Sequence, residues 1–122
     1  MSNSPTDSSF HPPKFFTLSS TCTVKLGNDG ALAQIQGKGE LSDLVFTPDG
    51  TPPEHTLPYS ATILYGNKSD ISNDTKFVSR ADNNKMDIFV GSNIDDTAIM
   101  VVVNNTNFSH ISQAGSGKWT SL

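Results

Sequence analysis

The chain alternates short stretches in which every second residue is hydrophobic with turns made of Gly, Pro, Asn and Asp. The clearest stretch precedes residue 27, where Cys22, Val24 and Leu26 alternate with polar residues. A period of two places successive side chains on opposite faces of a β-strand. The turn at 27–30, with sequence GNDG, leads into a second extended stretch at 31–41, so the pattern predicts a hairpin.

The same pattern continues to the C-terminus and predicts about eight to ten short strands. The segment 97–103 is apolar on both faces and rich in β-branched residues, which predicts a central position in the sheet. No segment has a clear helical period. We therefore predict an all-β fold, either an antiparallel β-sandwich or a small β-barrel, and local periodicity does not choose between them. Besides 15–26 and 31–41, the predicted strands are 43–47, 57–65, 75–80, 86–90, 97–103, 108–112 and 118–121.

Two glycines, Gly37 and Gly39, stand two positions apart in the second predicted strand. Glycine inside a strand is typical of a bulge, a bend or a place where another group approaches the backbone closely. We expect one of these three at this point of the sheet.

The chain of 122 residues has the length of one ordinary domain. Residues 1–13 are polar and contain three prolines, which predicts a disordered tail, and 14–122 are assigned to a single β domain. The longest apolar run, 98–103, is far shorter than the roughly 20 residues that span a bilayer. With no secretory leader in the sequence, we expect a cytoplasmic protein as encoded, and secretion by another route stays open.

The formal net charge is −4 at pH 7, and the eight Lys and Arg residues are scattered along the chain. A nucleic-acid-binding protein needs clustered cations to displace counterions from phosphates. We therefore expect no nucleic-acid partner. The expected partner is a small molecule or a glycan, and homo-oligomer formation is left open.

The sequence predicts no metal site and no cofactor. Cys22 is the single cysteine, and its place in an alternating strand indicates a small buried apolar residue. The acidic turns at 82–84 and 93–96 would lie at opposite ends of a hairpin and would not share one calcium ion. Glu54 and His55 are adjacent, so in an extended loop they point apart and are interpreted as solvated.

The candidate ligand-binding residues are Tyr59, Tyr65, His110 and Trp119. Tyrosine and tryptophan rings with polar tips serve as platforms for sugars and flat apolar ligands. His110 alternates with its neighbours and faces the core or a pocket. From these residues, and from the lack of a catalytic motif, we predict a non-catalytic binding module with a lectin-like, glycan ligand.

Two other functions stay open at this stage. The first is a small β-barrel enzyme of the isomerase or cyclase type, which would hold an apolar small molecule in an internal pocket with His110, Glu40 or Tyr65. The second is a self-assembling structural or toxin-like subunit that associates through a sheet edge or the strand 97–103.

Overall fold

A computed structural model describes residues 17–66, 68–71, 76–93 and 96–121. These residues form a closed, antiparallel β-barrel of eight strands, when the two halves of its two longest strands are counted separately. The predicted all-β fold is confirmed, and the choice between sandwich and barrel falls on the barrel. Its strands are β1 (Leu18–Gly27), β2 (Leu32–Gly37), β3 (Leu44–Pro48), β4 (Thr56–Tyr65), β5 (Lys76–Asn93) and β6 (Asp96–Ser121). A 3-10 helix at Gly39–Leu41 and a single helical turn, α1 (Lys68–Ile71), complete it.

The predicted first hairpin is confirmed, since β1 and β2 are antiparallel neighbours. The turn closes through a hydrogen bond from the Gly27 N–H to the Ala31 carbonyl, 2.8 Å long. Gly30 has a φ of 86°, a left-handed conformation that favours glycine. The GNDG turn signal therefore marks the hairpin correctly.

The barrel closes through the last strand. The order in the sheet is β3-β2-β1-β4-β6-β5, with an additional pairing between β3 and β6. Residues 99–103 of β6 pair with β4, whereas residues 117–121 of the same strand pair with β3. Residues 99–103 lie between β4 and β5, so the central position predicted for 97–103 is confirmed.

The turn predicted at 82–84 is wrong, because β5 continues through it. Ala81 pairs with Ile111 and Lys85 with Asn104, so β6 carries extra residues opposite this point and the register shifts. Asn105 adopts a φ of 64° within the inserted stretch. Such bulges bend a strand without ending it, and turn-forming residues fit them as well as they fit a turn.

The interior is filled by apolar side chains that form one core cluster. Leu26, Ile35, Phe46, Ile63 and Ile88 come from five different strands, and each is at most 1% exposed. Burying a side chain of this size contributes roughly 1.5–3 kcal/mol. The centre of the barrel is therefore a packed core.

The two ends of the barrel differ. At the end where β1 begins and β4 finishes, Leu41 of the 3-10 helix and Ile71 of α1 are buried in the core cluster. An ion pair of 3.1 Å joins Lys68 of α1 to Asp43 beside the 3-10 helix. None of the described helices is long and apolar enough to cross a membrane. The tail predicted at 1–13 lies outside the described residues.

Candidate functional site

The opposite end of the barrel carries a groove with a volume of about 390 Å³, partly open to solvent. We call it the end groove. Its volume lies within the range of about 300–1,000 Å³ that is usual for small-molecule sites. It is lined by Asp29 and residues 31–33 at the start of β2, by residues 47–53 after β3, by Phe77 of β5 and by residues 113–116 of β6.

The end groove exists because β2 and β3 separate. They pair only at Ile35 with Phe46 and at Gln36 with Val45. Beyond these pairs, the Leu32 N–H donates to Oε1 of Gln113 at 3.0 Å. A side-chain oxygen thus satisfies a strand donor that would otherwise need a neighbouring strand.

The loop after β3 forms one wall of the end groove. It follows Pro48, the last residue of β3, and contains Pro52 and Pro53, and the rings of these prolines fix φ and remove backbone donors. The Asp49 N–H donates to the Ser116 carbonyl at 2.8 Å, which ties the loop to β6. Pro53 packs so closely on Gly27 that a Cβ there would lie 2.8 Å from the Pro53 Cβ. The wall is therefore anchored at both sides.

The floor of the end groove is apolar. Phe77 is 3% exposed, and its ring covers Gly115 on the neighbouring strand. A Cβ on Gly115 would lie 3.0 Å from Cε1 of Phe77. An aromatic ring over a strand glycine is a recurrent packing device. The Phe77 ring thus closes the inner side of the groove and leaves little of its own surface exposed.

The rim carries two carboxylates, Asp29 and Asp49, which come from different loops. Oδ1 of Asp29 accepts a hydrogen bond from the Ala31 N–H at 3.0 Å, which orients this side chain. Hydroxyl groups of Thr47, Thr51 and Ser116 add donors and acceptors. Within the described ranges, no three His, Cys, Asp or Glu residues come together in a way that could hold a metal ion.

The structure describes the side chains of three of the four predicted site residues, and two of them, Tyr59 and Tyr65, lie far apart. Tyr59 lies half-buried on β4, with its ring centroid 6.2 Å from that of Phe108. Tyr65 follows six residues later on the same strand, roughly 20 Å away. Trp119 packs against Phe46 on the β3 side, with ring centroids 5.2 Å apart. His110 belongs to β6, but its side chain lies outside the described part of the structure.

None of Tyr59, Tyr65 and Trp119 lines the end groove. Tyr65 is 1% exposed and its hydroxyl donates to Oε2 of Glu40 at 3.2 Å. Burial, with the neighbouring Glu40 carboxylate, raises the pKa of Tyr65. The Trp119 Nε1 is buried and has no acceptor among the described residues. Ligand binding by these residues stays a prediction.

The other candidate groups are structural or exposed. Cys22 is buried at 2% exposure, and desolvation raises the pKa of its thiol to about 12, against a smaller opposing effect of Lys38. The interpretation of Cys22 as a buried apolar residue is confirmed. Glu54 and His55 are both exposed in the loop before β4. Asp95, part of the second acidic turn, lies outside the described residues.

Sequence reasoning missed Asp29, Asp49 and Gln113 as site residues. Asp29 lies in the predicted turn at 27–30, and Asp49 lies between the predicted strands 43–47 and 57–65. Residues 29, 49 and 113 line one groove because the barrel places three distant parts of the chain around it. The local hydrophobic period reports only on neighbouring residues, so it does not predict which distant residues line one groove. The prolines at 48, 52 and 53 are a signal in the sequence that could have indicated a fixed wall.

No protein-family model and no curated protein matches this chain. Among solved structures, the chain is similar to the virulence-associated protein VapB from the intracellular pathogen Rhodococcus equi. The two share 15% sequence identity at a TM-score of 0.65, and the match covers 86% of this chain and 98% of that chain. A likeness at this level of identity shows a shared fold, and the barrel described above is that fold.

Proposed function

We propose that the protein is a non-catalytic binding module that takes a glycan in the end groove. The observation that carries this proposal is the combination of an apolar floor with a polar rim in one groove of about 390 Å³. Sugars present apolar C–H faces that stack on aromatic rings, and hydroxyl groups that bond to carboxylates, amides and hydroxyls.

The floor and the rim match those two kinds of sugar surface. The proline loop offers apolar contact, while Asp29 and Asp49 offer acceptors for hydroxyl donors. Because side chains fill the barrel interior, a ligand is expected to bind in the end groove and not inside the barrel. The anchored loop and the oriented Asp29 carboxylate reduce the entropy that a ligand must remove on binding.

The enzyme alternative receives no support from this groove. It was expected to use His110, Glu40 or Tyr65 in its pocket, and neither Glu40 nor Tyr65 lines the end groove. Tyr65 pairs with Leu18 at the far end of β1, whereas the groove adjoins Gly27 at the other end, roughly 30 Å away. Self-assembly stays a prediction, since no contact of the described residues favours it.

A groove-filling substitution tests the proposal. Ala114 is exposed and lines the end groove, so Ala114→Phe adds a ring there without overpacking the core. Titration calorimetry against a panel of neutral and amino monosaccharides and their disaccharides should detect binding to the natural protein. We expect Ala114→Phe to weaken it at least about tenfold, a change of about 1.4 kcal/mol.

Thr62→Phe is the matched control, because Thr62 is exposed on β4, away from the end groove. It should bind as the natural protein does, and both variants should keep their melting temperatures. Absence of binding across the panel, or an equal loss in both variants, would contradict the proposal. Release of cleaved or rearranged sugar would show an enzyme instead of a module.

A further inference from the structure

The outer wall of the barrel carries a row of apolar side chains across three neighbouring strands, which we call the outer row. Leu64 of β4 pairs with Met100 of β6, and Met100 pairs with Phe89 of β5. Paired residues of antiparallel strands share one side of the sheet, and successive residues alternate between the two sides. The adjacent Ile63 and Val101 face the core at no more than 1% exposure, so the three members of the outer row face outward.

The outer row is covered more completely than a bare barrel wall would be. Phe89 is only 9% exposed, and Leu64 and Met100 are half-buried. Asp87 stands two positions before Phe89 on the same face, and its Oδ1 is buried without a hydrogen-bond partner among the described residues. Nζ of Lys85 lies 3.8 Å from this oxygen. An outward-facing ring and carboxylate on an uncovered strand would meet water, so their burial indicates a further layer of protein over this face.

We propose that residues 10–16, which we call the strap, form this layer and pack in extended form across the outer row. The strap has the sequence FHPPKFF, precedes β1 and lies outside the described residues. It offers three phenylalanine rings to the apolar row and Lys14 to the carboxylate of Asp87, and it contains no acidic residue. The 3-10 helix and α1 bury their own apolar side chains, Leu41 and Ile71, in the core cluster instead.

The start of β1 brings the strap to the edge of the outer row. Ser19, the second residue of β1, pairs with Leu64, which is the first member of the row. From β1 across β4 and β6 to β5 there are three strand spacings, roughly 14 Å in all. An extended chain covers roughly 3.3 Å per residue, so residues 10–16 are long enough to reach β5. The two prolines of the strap favour an extended backbone.

The strap is a better occupant of the outer row than a second copy of the protein. Phe89 is already buried to 9% exposure in a single chain, so the covering layer belongs to the same chain. The folded domain then begins at residue 10, where the sequence pattern predicted residue 14. This inference is independent of the end groove and of any ligand, because the outer row lies on the wall of the barrel.

Two methionines report on the outer row and on the core. Met100 belongs to the row, whereas Met86 is fully buried in the core. In protein with 13C-labelled methionine methyl groups, the Met100 signal should shift when Phe10→Ser, Phe15→Ser and Phe16→Ser are combined in the full chain, because rings above the row are lost. The Met86 signal should stay in place and so show that the core is intact. Should it move, the three changes to leucine, which remove only the rings, repeat the comparison.

Oxidation by hydrogen peroxide is the second readout, because the rate of sulfoxide formation follows the exposure of the thioether. Met100 should oxidise at least about threefold faster in the triple serine variant than in the natural protein, and Met86 should oxidise equally slowly in both. Deletion of residues 2–9 is the matched control, since it shortens the N-terminus and keeps the strap. It should change neither the Met100 signal nor its oxidation rate.

Two results would overturn the proposal. The first is a Met100 signal and oxidation rate that are the same in the triple variant and in the natural protein, which would mean that another part of the chain covers the row. The second is a Met100 signal that moves with protein concentration, which would assign the row to contact between copies.

Discussion

At the scale of single residues, Gly37 lets two parts of the backbone come closer than any other residue would allow. A Cβ at this position would lie 2.2 Å from the Leu41 carbonyl oxygen and 2.7 Å from the Leu41 Cβ. The chain can therefore fold back into the 3-10 helix directly over β2. This return places Leu41 in the core at the end of the barrel where β1 begins, which we call the closed end. Of the three expectations for Gly37, the close approach is the one observed.

Gly37→Ala should destabilise the protein by about 1–3 kcal/mol, because a backbone carbonyl must move to admit the methyl group. Urea unfolding followed by tryptophan fluorescence measures the change. Lys38→Ala is the control: Lys38 is exposed, so its loss should stay within about 0.5 kcal/mol. Equal stabilities of the two variants would show that the backbone relaxes freely at Gly37.

The sequence predicted side-chain burial better than side-chain roles. The alternation of Cys22, Val24 and Leu26 is reproduced, since all three are at most 2% exposed. Tyr65 was expected to serve as a ligand platform, yet its hydroxyl bonds to Glu40, which is 25 positions away in the chain. Periodicity reports the face on which a residue lies, but the partner across the barrel depends on distant pairing.

At the scale of elements, the closed end is held by two short pieces that the strand pattern did not predict. The segment between the predicted strands 57–65 and 75–80 contains α1, and the end of the second predicted strand is a 3-10 helix. These pieces are too short for a hydrophobic period to reveal them. The ion pair between Lys68 and Asp43 joins α1 to the segment beside the 3-10 helix. Both side chains of this pair are about half exposed.

Asp43→Asn should increase the local opening of the 3-10 helix and α1, which together we call the end cap. The hydrogen bond from Lys68 is the main cause that lowers the pKa of Asp43. A lowered carboxylate pKa contributes stability above the unfolded value of about 3.9, and that contribution is lost as the pH falls through the folded value. Hydrogen exchange in 39–41 and 68–71 should therefore be faster in the variant at pH 7.

The same comparison below the folded pKa of Asp43 supplies the check. At that pH the Asp43 carboxylate of the natural protein is protonated and has lost its charge. The two proteins should then exchange at equal rates in 39–41 and 68–71, once both rates are corrected for global unfolding. Glu54→Gln, without an ion pair in the described residues, should not change exchange in the cap at either pH. A difference in exchange that persists in acid would show that the charged Lys68–Asp43 pair is not its cause.

At the scale of the whole molecule, the sequence predicted the class of fold and left its closure undecided. Strand content and the hairpin of β1 and β2 follow from neighbours in the chain. Closure depends on β3 pairing with residues 117–121, some 70 positions later. The end groove depends on the same long-range arrangement, which explains why its acidic rim was not predicted.

The stability of the whole barrel should fall in alkali because of Cys22. Burial raises the pKa of this thiol from 9.0 to about 12. A raised pKa means that the folded state keeps a proton that the unfolded state loses, so stability is full below about pH 9 and declines as the pH rises towards 12. Urea unfolding at pH 8 to 11 should show this decline.

Cys22→Ala isolates the thiol, because the other alkaline groups, including Tyr65, titrate in both proteins. The natural protein should lose more stability than the variant over this range, whatever their difference at pH 8. Parallel curves would contradict the prediction and would mean that the thiol ionises in the fold as easily as in the unfolded chain.

The pairing of β3 with the end of β6 also has a consequence for synthesis. Residues 44–48 lie beside residues 117–121, so β3 has no neighbour on one edge until those last residues are made. During synthesis, this edge of β3 stays unpaired until nearly the entire barrel has emerged from the ribosomal exit tunnel. Folding that depends on such distant contacts is slow, and an unpaired strand edge invites aggregation. Ribosome-bound chains should thus acquire protease resistance only after residue 121 has cleared the tunnel.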